Sequence, residues 1–446
     1  MNDQILSIIN TDPLDISRLK TLFFDKNIAD IAEVFKELHK EKIIQLFRIL
    51  PKTIAAEVFA HVDSDQQKII VEALTDTEIG EIMSKLFVDD AVDFIEEMPA
   101  NVVKRVLRNV NEDKRRVINQ LLQYPDDSAG SIMTTEYVEL QENDTVSQAF
   151  DYIRSTGVNK ETIYTCYVIR HDRILIGVVT AKTLMLSSQQ DRIGDIMDTN
   201  FICAGTTDDQ EEIAALFKKY GLLSLPIADK EGHLVGIVTV DDIVQVIQDE
   251  NTEDVEKMAA LNPSDESYLK TGVFKQSRNR IFWLMFLMLS ASITGTIISR
   301  FENALTALPM LIAFIPMLMN TCGNAGCQTS ALIIRGIALG EIRFRSIVTV
   351  LWREIQVAFL CGLALAAVNF IRVYFMHGRD LMLCITVSLS LIATVIASKS
   401  IGCILPLIAQ KIKLDPAIMA APLITTIADA SSLIVYFSIA SIVLSI

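Results

Sequence analysis

PMLMNTCGNAGCQTS, residues 316–330, interrupts an apolar region with a proline, two glycines and three amides. Polar or irregular segments at membrane depth survive only where they are buried in protein or line water. Asn320, Asn324 and Gln328 recur every fourth residue, so a helix carries all three on one face. A packing seam accounts for Gly323 and Gly326, which permit close helix approach. It does not account for three amides in register. The stretch reads as a helix with a polar pore wall, and that makes the surrounding apolar sequence a membrane domain.

Five apolar runs surround it, at about 281–299, 305–334, 346–371, 381–409 and 417–445, each long enough to cross a hydrocarbon core. In the last, PLITTIADASSLIVYF, Asp429 is the lone acid. A carboxylate at mid-membrane costs on the order of 3 kcal/mol, which makes it a functional candidate. Thr425, Thr426, Ser431 and Ser432 place hydroxyls nearby. A proton relay and a structural helix cap are the competing readings. Lys399 is a second intramembrane charge; snorkelling and pairing with a lipid phosphate are both open to it, and the sequence assigns it neither role. Basic residues cluster before the first run (Lys275, Arg278, Arg280), between the second and third (Arg335, Arg343, Arg345, Arg353) and between the fourth and fifth (Lys411, Lys413). The positive-inside rule then predicts a cytosolic N-terminal part, an external C-terminus and a multi-pass protein in lipid of the cell membrane.

Charge divides the chain. Residues 1–275 hold 49 of the 55 acidic and 28 of the 40 basic residues, net −21, against +6 for the remainder. Such a balance excludes nucleic acid as a partner and favours a cation. MNDQILSIIN has neither a basic n-region nor a long apolar core, so no cleavable signal is expected. The seven cysteines show no C-x-x-C spacing, as expected of buried thiols in a reduced compartment. No nucleophile–base pair or phosphate-cradling loop suggests an enzyme.

Residues 1–127 read as short amphipathic helices in stacked hairpins, with TDTE (75–78) as a capping box. Residues 128–248 contain a duplication. Gly130, Ile132, Met133, Asp144 and Gly157 recur 64 positions on as Gly194, Ile196, Met197, Asp208 and Gly221, and Gly177 recurs 59 positions on as Gly236. Each copy predicts a β-α-β-β-α unit. The duplication and its G-I-V-T-x-x-D ending resemble a pair of CBS domains, modules that typically bind adenosine nucleotides.

CGNAGCQTSALIIRGIALGEI, DPAIMAAPLITTIADASSLIVYF and YPDDSAGSIMT together resemble the MgtE family of magnesium channels, over essentially the whole chain. The resemblance implies a multidomain α-helical membrane protein: a helical-hairpin N domain (1–127), tandem α/β CBS domains (128–248), a connecting helix (249–275) and five transmembrane helices (276–446). It implies a homodimer whose second and fifth spans line one pore. Asp429, Ala421, Thr425, Asn320 and Asn324 would then meet the ion there. It also implies Mg²⁺-sensing carboxylates at Asp89, Asp93, Asp242, Glu250, Glu253, Asp254 and Asp415, with Asp209 and Glu211 as further matches. Thr239 and Asp242 stand where CBS domains contact a nucleotide ribose, so ATP is the expected ligand. This chain departs from the family at Cys322, where a glycine is usual, at Ala421, and at Gln245, which replaces a sensing carboxylate.

The expected activity is Mg²⁺ influx, closed when cytosolic Mg²⁺ joins the acidic N and CBS domains and a helix at about 246–272 shuts the pore. Two carboxylates 4 Å apart repel by about 1 kcal/mol in water and about 4 kcal/mol at an effective dielectric of 20, so unliganded domains would splay. Two alternatives remain open on the sequence: transport of Co²⁺, Ni²⁺ or Mn²⁺, and a membrane-anchored adenylate sensor whose spans only tether it.

Overall fold

The structure is a computed structural model that describes residues 19, 21, 23, 26–52, 54–263, 268, 271–302, 306, 308–376, 380–419 and 421–444. The chain divides into two compact units, Met1–Ile247 and Gln248–Ile446.

The first unit opens with short antiparallel helices: α1 (Ile28–Lys36), α2 (Lys40–Ile49), α3 (Ala55–His61), α4 (Ser64–Ala73), α5 (Asp76–Met83), α6 (Val88–Glu96), α7 (Ala100–Asn109) and α8 (Glu112–Leu121). Local chemistry sets the breaks. Thr75 and Glu78 close the expected capping box. Pro99 caps α7, where its missing N–H costs nothing. Phe35, Phe47 and Phe59 stand one hairpin layer apart and meet edge-to-face at 6.5 and 6.2 Å, and Phe59 meets Phe94 at 5.1 Å. This aromatic file is the spine of the core.

The duplication folds as expected. The first copy is β1 (Glu139–Gln141), α9 (Val146–Thr156), β2 (Thr165–Ile169), β3 (Leu175–Thr180) and α10 (Ala181–Leu186). After the short α11 (Ile193–Ile196), the second is β4 (Ala204–Gly205), α12 (Gln210–Tyr220), β5 (Ser224–Ala228), β6 (Leu234–Thr239) and α13 (Val240–Met258). Each sheet pairs its first two strands parallel and its last two antiparallel. The copies exchange their leading segments. Thr134 pairs with Ile237 of β6, while Asp198 pairs with Val178 of β3. The recurring Met and Gly residues make that exchange fit: a Cβ at Gly236 would lie 2.7 Å from Met133 Sδ, and one at Gly177 2.7 Å from Met197 Sδ. At Gly236 the added Cβ would also meet the Thr134 carbonyl oxygen at 2.8 Å, backbone that cannot step aside, whereas at Gly177 the Met197 side chain would have to yield.

The helix expected over 246–272 is shorter than that. α13 ends at Met258, and Ala260 turns left-handed at φ 55°. The Leu261 N–H donates to Glu256 O and the Ala260 N–H to Lys257 O, both at 2.9 Å, a Schellman closure followed by Pro263. Residues 264–267 and 269–270 lie outside the described residues.

In the second unit five segments are long and apolar enough to cross a membrane among the described residues: Val273–Arg300, Pro309–Ala338, Phe344–Met376, Leu381–Lys411 and Pro416–Leu444. Their regular helices are α14 (Val273–Arg300), α15 (Ile315–Ala338), α16 (Ile347–Met376), α17 (Leu381–Lys411) and α18 (Ala421–Leu444). α17 is central. Thr386, Ser390, Thr394 and Ser398, four apart, are each fully buried along it. Ser390 returns its hydroxyl proton to Thr386 O, and Ser398 donates to Cys322 O on α15. Small residues and internal hydrogen bonds let helices touch where lipid supplies no partners. At the α15–α17 crossing, a Cβ on Gly402 would overlap the Gly326 carbonyl oxygen.

Candidate functional site

In the second unit α15 presents the quoted stretch. Asn320, Asn324 and Gln328 are all exposed, with Cys322, Gly323, Ala325 and Gly326 buried behind them. The Asn324 amide donates to Asn320 Oδ1 at 3.3 Å, so the amides form a file along one face. α18 packs against the glycines. A Cβ on Gly323 would lie 3.2 Å from Thr425 Cγ2 and 3.9 Å from Asp429 Oδ1, so glycine lets the half-buried Asp429 approach α15. Thr425 and Thr426 donate to Pro422 O at 2.9 and 3.0 Å, and Ser431 and Ser432 to Ile427 O and Asp429 O. Their protons are committed inside the helix, so their lone pairs remain as acceptors. Ala421 opens α18, and its side chain lies outside the described residues.

Cys322 leaves this face intact. Its thiol is buried in the helix core, 3.3 Å from Thr394 O and 3.6 Å from Ala428 O. Lys399, left unassigned by the sequence, finds its partners within the protein. It neither snorkels nor reaches a lipid phosphate: it is 6 % exposed and donates to Thr329 Oγ1 at 3.1 Å, with Glu354 at 3.9 Å. Helix packing rather than lipid decides its partner.

Before α18, Asp415 Oδ1 accepts from the Ala417 N–H at 2.8 Å. Lys257, on the last turn of α13, bridges Asp415 at 2.7 Å and Glu253 at 2.6 Å. Burial works against the Lys257 charge, but hydrogen bonds to Asp415 and Glu253 outweigh it and raise its pKa. Asp254 is pushed up, by burial and then by Asp415. Glu250 lies a turn earlier on α13. Lys257 gave no signal in the sequence, where it was one lysine of a charged helix.

In the first unit the acidic residues of α6 face the start of α13. Asp89 is buried, and its pKa is driven well up by burial, then by Asp242, Asp90 and Glu161. Asp93 is on the solvent-exposed rim, yet crowding by surrounding atoms and then Asp242 push it up to about 7. Asp242 itself rises to about 6, by burial against the stabilising hydrogen bond from Thr239 Oγ1 at 2.7 Å, with Asp241 and Asp90 opposing its charge. Glu161 rises to about 8 from burial and the same acids, and its Oε2 is buried with no hydrogen-bond partner. Lys114 approaches the cluster, but its amine donates to the Leu86 carbonyl. Asp90, Glu161 and Asp241 were not singled out as sites in the sequence; the Asp-Asp pairs at 89–90 and 241–242 hinted at two, and nothing marked Glu161. Among the described residues no three His, Cys, Asp or Glu side chains are arranged to hold a metal ion directly.

Asp209 and Glu211 take a different place. Asp209 is exposed and caps α12, accepting from the Glu211 N–H at 2.8 Å. Gln245 lies on an exposed face of α13.

Known proteins resemble this chain domain by domain. Residues 26–127 match the family model of the MgtE intracellular N domain, 129–188 and 193–249 the CBS domain, and 315–439 the MgtE divalent cation transporter. The magnesium transporter MgtE of Thermus thermophilus is 33% identical over 433 residues, 96% of each chain. That of Bacillus subtilis is 37% identical over 324 residues, 73% of this chain and 71% of the relative. Among solved structures, the soluble part of a magnesium transporter superposes at a TM-score of 0.52 and 28% identity, over 56% of this chain and 97% of that one.

Proposed function

The chain belongs to the MgtE family of divalent cation transporters, and from that premise we propose that it is a homodimeric Mg²⁺ channel, closed by Mg²⁺ on its cytosolic side. The observation that carries this is the carboxylate of Asp429 beside Gly323, next to an exposed file of amides on an apolar helix. Exposed amides are costly in lipid. A second copy placing the same face opposite gives them water and supplies a second Asp429. Mg²⁺ sheds its six waters reluctantly. A path for the hydrated ion therefore needs acceptors for water protons and a focused negative charge rather than a dehydrating cage. Asn320 and Asn324 carbonyl oxygens, the Thr425 hydroxyl and the carbonyl of Ala421 serve as acceptors, and Asp429 supplies the charge. A membrane anchor requires neither feature, which argues against the tethered-sensor reading.

The acidic face fits a hard dication by its donor chemistry. Asp89, Asp93 and Asp242 are carboxylates crowded at raised pKa, and Glu161 adds a buried oxygen without a partner. Glu250, Glu253, Asp254 and Asp415 form a second candidate set, with Asp209 and Glu211 as an exposed third. Carboxylates of this kind suit an ion such as Mg²⁺ that keeps much of its water shell. Bound positive charge would favour the packed state over the splayed one, and α13, which starts in the first unit and ends in the second, is the element both states share. Thr239 and Asp242 stand at the positions where CBS domains contact a ribose, so ATP binding in the CBS pair belongs to this reading. Titration calorimetry with ATP, with and without Mg²⁺, tests it, and silence in both rejects it.

The basic loops support a cytosolic N-terminal part and an external C-terminus. Mg²⁺ flux into proteoliposomes of the purified protein, with and without Mg²⁺ on the sensor side, is the direct test. Flux that falls as sensor-side Mg²⁺ rises is expected; no flux, or flux indifferent to it, rejects conduction or closure respectively. Competition by Co²⁺, Ni²⁺ and Mn²⁺ identifies the preferred cation.

A further inference from the structure

Lys399 lies mid-way along α17, twelve residues before its end at Lys411, or about 18 Å by helix rise. Its ammonium donates to Thr329 Oγ1 at 3.1 Å, and that hydroxyl donates onward to Glu354 Oε2 at 2.9 Å. The ammonium stands 3.9 Å from the same oxygen, and the Lys399 and Glu354 side chains are 8% and 15% exposed. The three residues come from α17, α15 and α16. The two bonds run one way, from cation through hydroxyl to carboxylate, and Thr329 is fully buried. Its neighbour Gln328 belongs to the exposed amide file, so the triad grips α15 from behind the face assigned to the ion.

The other contacts of this helix fix spacing. The Gly326–Gly402 crossing sets how closely α15 and α17 approach, and apolar contacts tolerate sliding and rotation. The triad does not tolerate them. Adjacent side chains on a helix point about 100° apart, so a one-residue rotation of α15 would withdraw the hydroxyl from both partners. Replacing a buried ion pair by apolar residues is often neutral in stability, whereas removing one partner is harmful. Stability alone thus gives little reason for the pair.

We propose that Lys399, Thr329 and Glu354 form an intramembrane clamp that sets the rotation and axial register of α15, and with it the width of the ion path. They are positioning residues and touch no ion. This rests on the conduction reading above, so the test includes a readout independent of flux.

The experiment compares wild-type full-length protein with Thr329→Val, which keeps both charges and the side-chain shape, and with the double variant Lys399→Met/Glu354→Gln, which leaves no unpaired charge. Single-channel recording and spin-label distances between α15 and α16 are measured, with thermal midpoints as a folding control. The single variants Lys399→Met and Glu354→Gln are expected to cut Mg²⁺ flux at least about tenfold through an uncompensated buried charge. Thr329→Val and the double variant are expected to fold with near wild-type midpoints, to change unitary conductance at least about twofold and to shift the α15–α16 distance distribution. If a single variant fails to fold, these two decide. Wild-type conductance and wild-type distances in both overturn the clamp. If wild-type protein carries no Mg²⁺ current, the conduction reading falls, and the distances alone judge the clamp: unchanged distributions reject it.

Discussion

Asp429 is the residue on which the proposed conduction turns. Two opposite unit charges about 5–6 Å apart attract by about 3 kcal/mol at an effective dielectric of 20, so losing the Asp429 carboxylate costs about two decades of rate or occupancy. Asp429→Ala is therefore expected to lower Mg²⁺ flux about 100-fold, and Asp429→Asn nearly as much, since charge rather than hydrogen bonding does the task. Wild-type flux from either purified, folded variant in liposomes would remove Asp429 from the path. Cys322 makes the opposite point. Its place in a glycine-rich motif suggested an altered pore, but its thiol turns to the Thr394 and Ala428 carbonyls. Reading the motif gave the position, and only packing gave the direction of the side chain.

Two element contacts carry predictions. At the α15–α17 crossing, Gly402→Ala meets the Gly326 backbone, which cannot step aside as a flexible side chain would. Overpacking of this kind costs about 1–3 kcal/mol, so the thermal midpoint of the purified protein is expected to fall. Gly295→Ala on α14, with nothing within 4 Å of its added Cβ, is the control and is expected to be neutral or mildly stabilising. Equal midpoints for the two variants would show that the crossing is not tight. The contact between α6 and the start of α13 predicts a pH dependence. Packing raises Asp242 to about 6, Asp93 to about 7 and Glu161 to about 8, so the packed state holds more protons than the separated one. Stability from packing is thus greatest below the ordinary carboxylate range and is lost as pH rises through about 6 to 8. In chelator, protease resistance of the first unit should fall between pH 6 and 8.5, and Mg²⁺ should remove most of that fall. A flat profile without Mg²⁺ would mean that these carboxylates do not oppose one another.

For the molecule as a whole, the proposed function puts closing and conducting in different stretches of chain. The crowded carboxylates lie mostly in the first unit and the amide file with Asp429 in the second. Deleting residues 1–127 removes Asp89 and Asp93 and leaves every residue assigned to the ion path. The truncated protein is expected to keep conducting at millimolar sensor-side Mg²⁺, the affinity range of weak carboxylate sites, where the full-length protein is shut. Electrophysiology on both proteins checks it. Closure of the truncated protein over the same Mg²⁺ range would show that the N domain is no part of the gate.

Sequence by itself determined what depends on periodicity, composition and local rules. Four-residue spacing placed Asn320, Asn324 and Gln328 on one face, runs of some 20 apolar residues marked five spans, and the 64- and 59-residue offsets marked two matching α/β units. Those patterns act through the chain's own helical or strand geometry, so they are written along it. Tertiary structure decided which elements meet. It joined Glu161 to Asp89 and Asp242, set Lys257 between Glu253 and Asp415, and gave Lys399 a partner in Glu354, 45 positions away. It also ended α13 at a left-handed Ala260, a residue with no glycine's warning. Burial and pairing depend on residues distant in sequence, and a buried charge takes whatever counter-charge or hydroxyl the packed helices bring within reach, which no periodicity encodes.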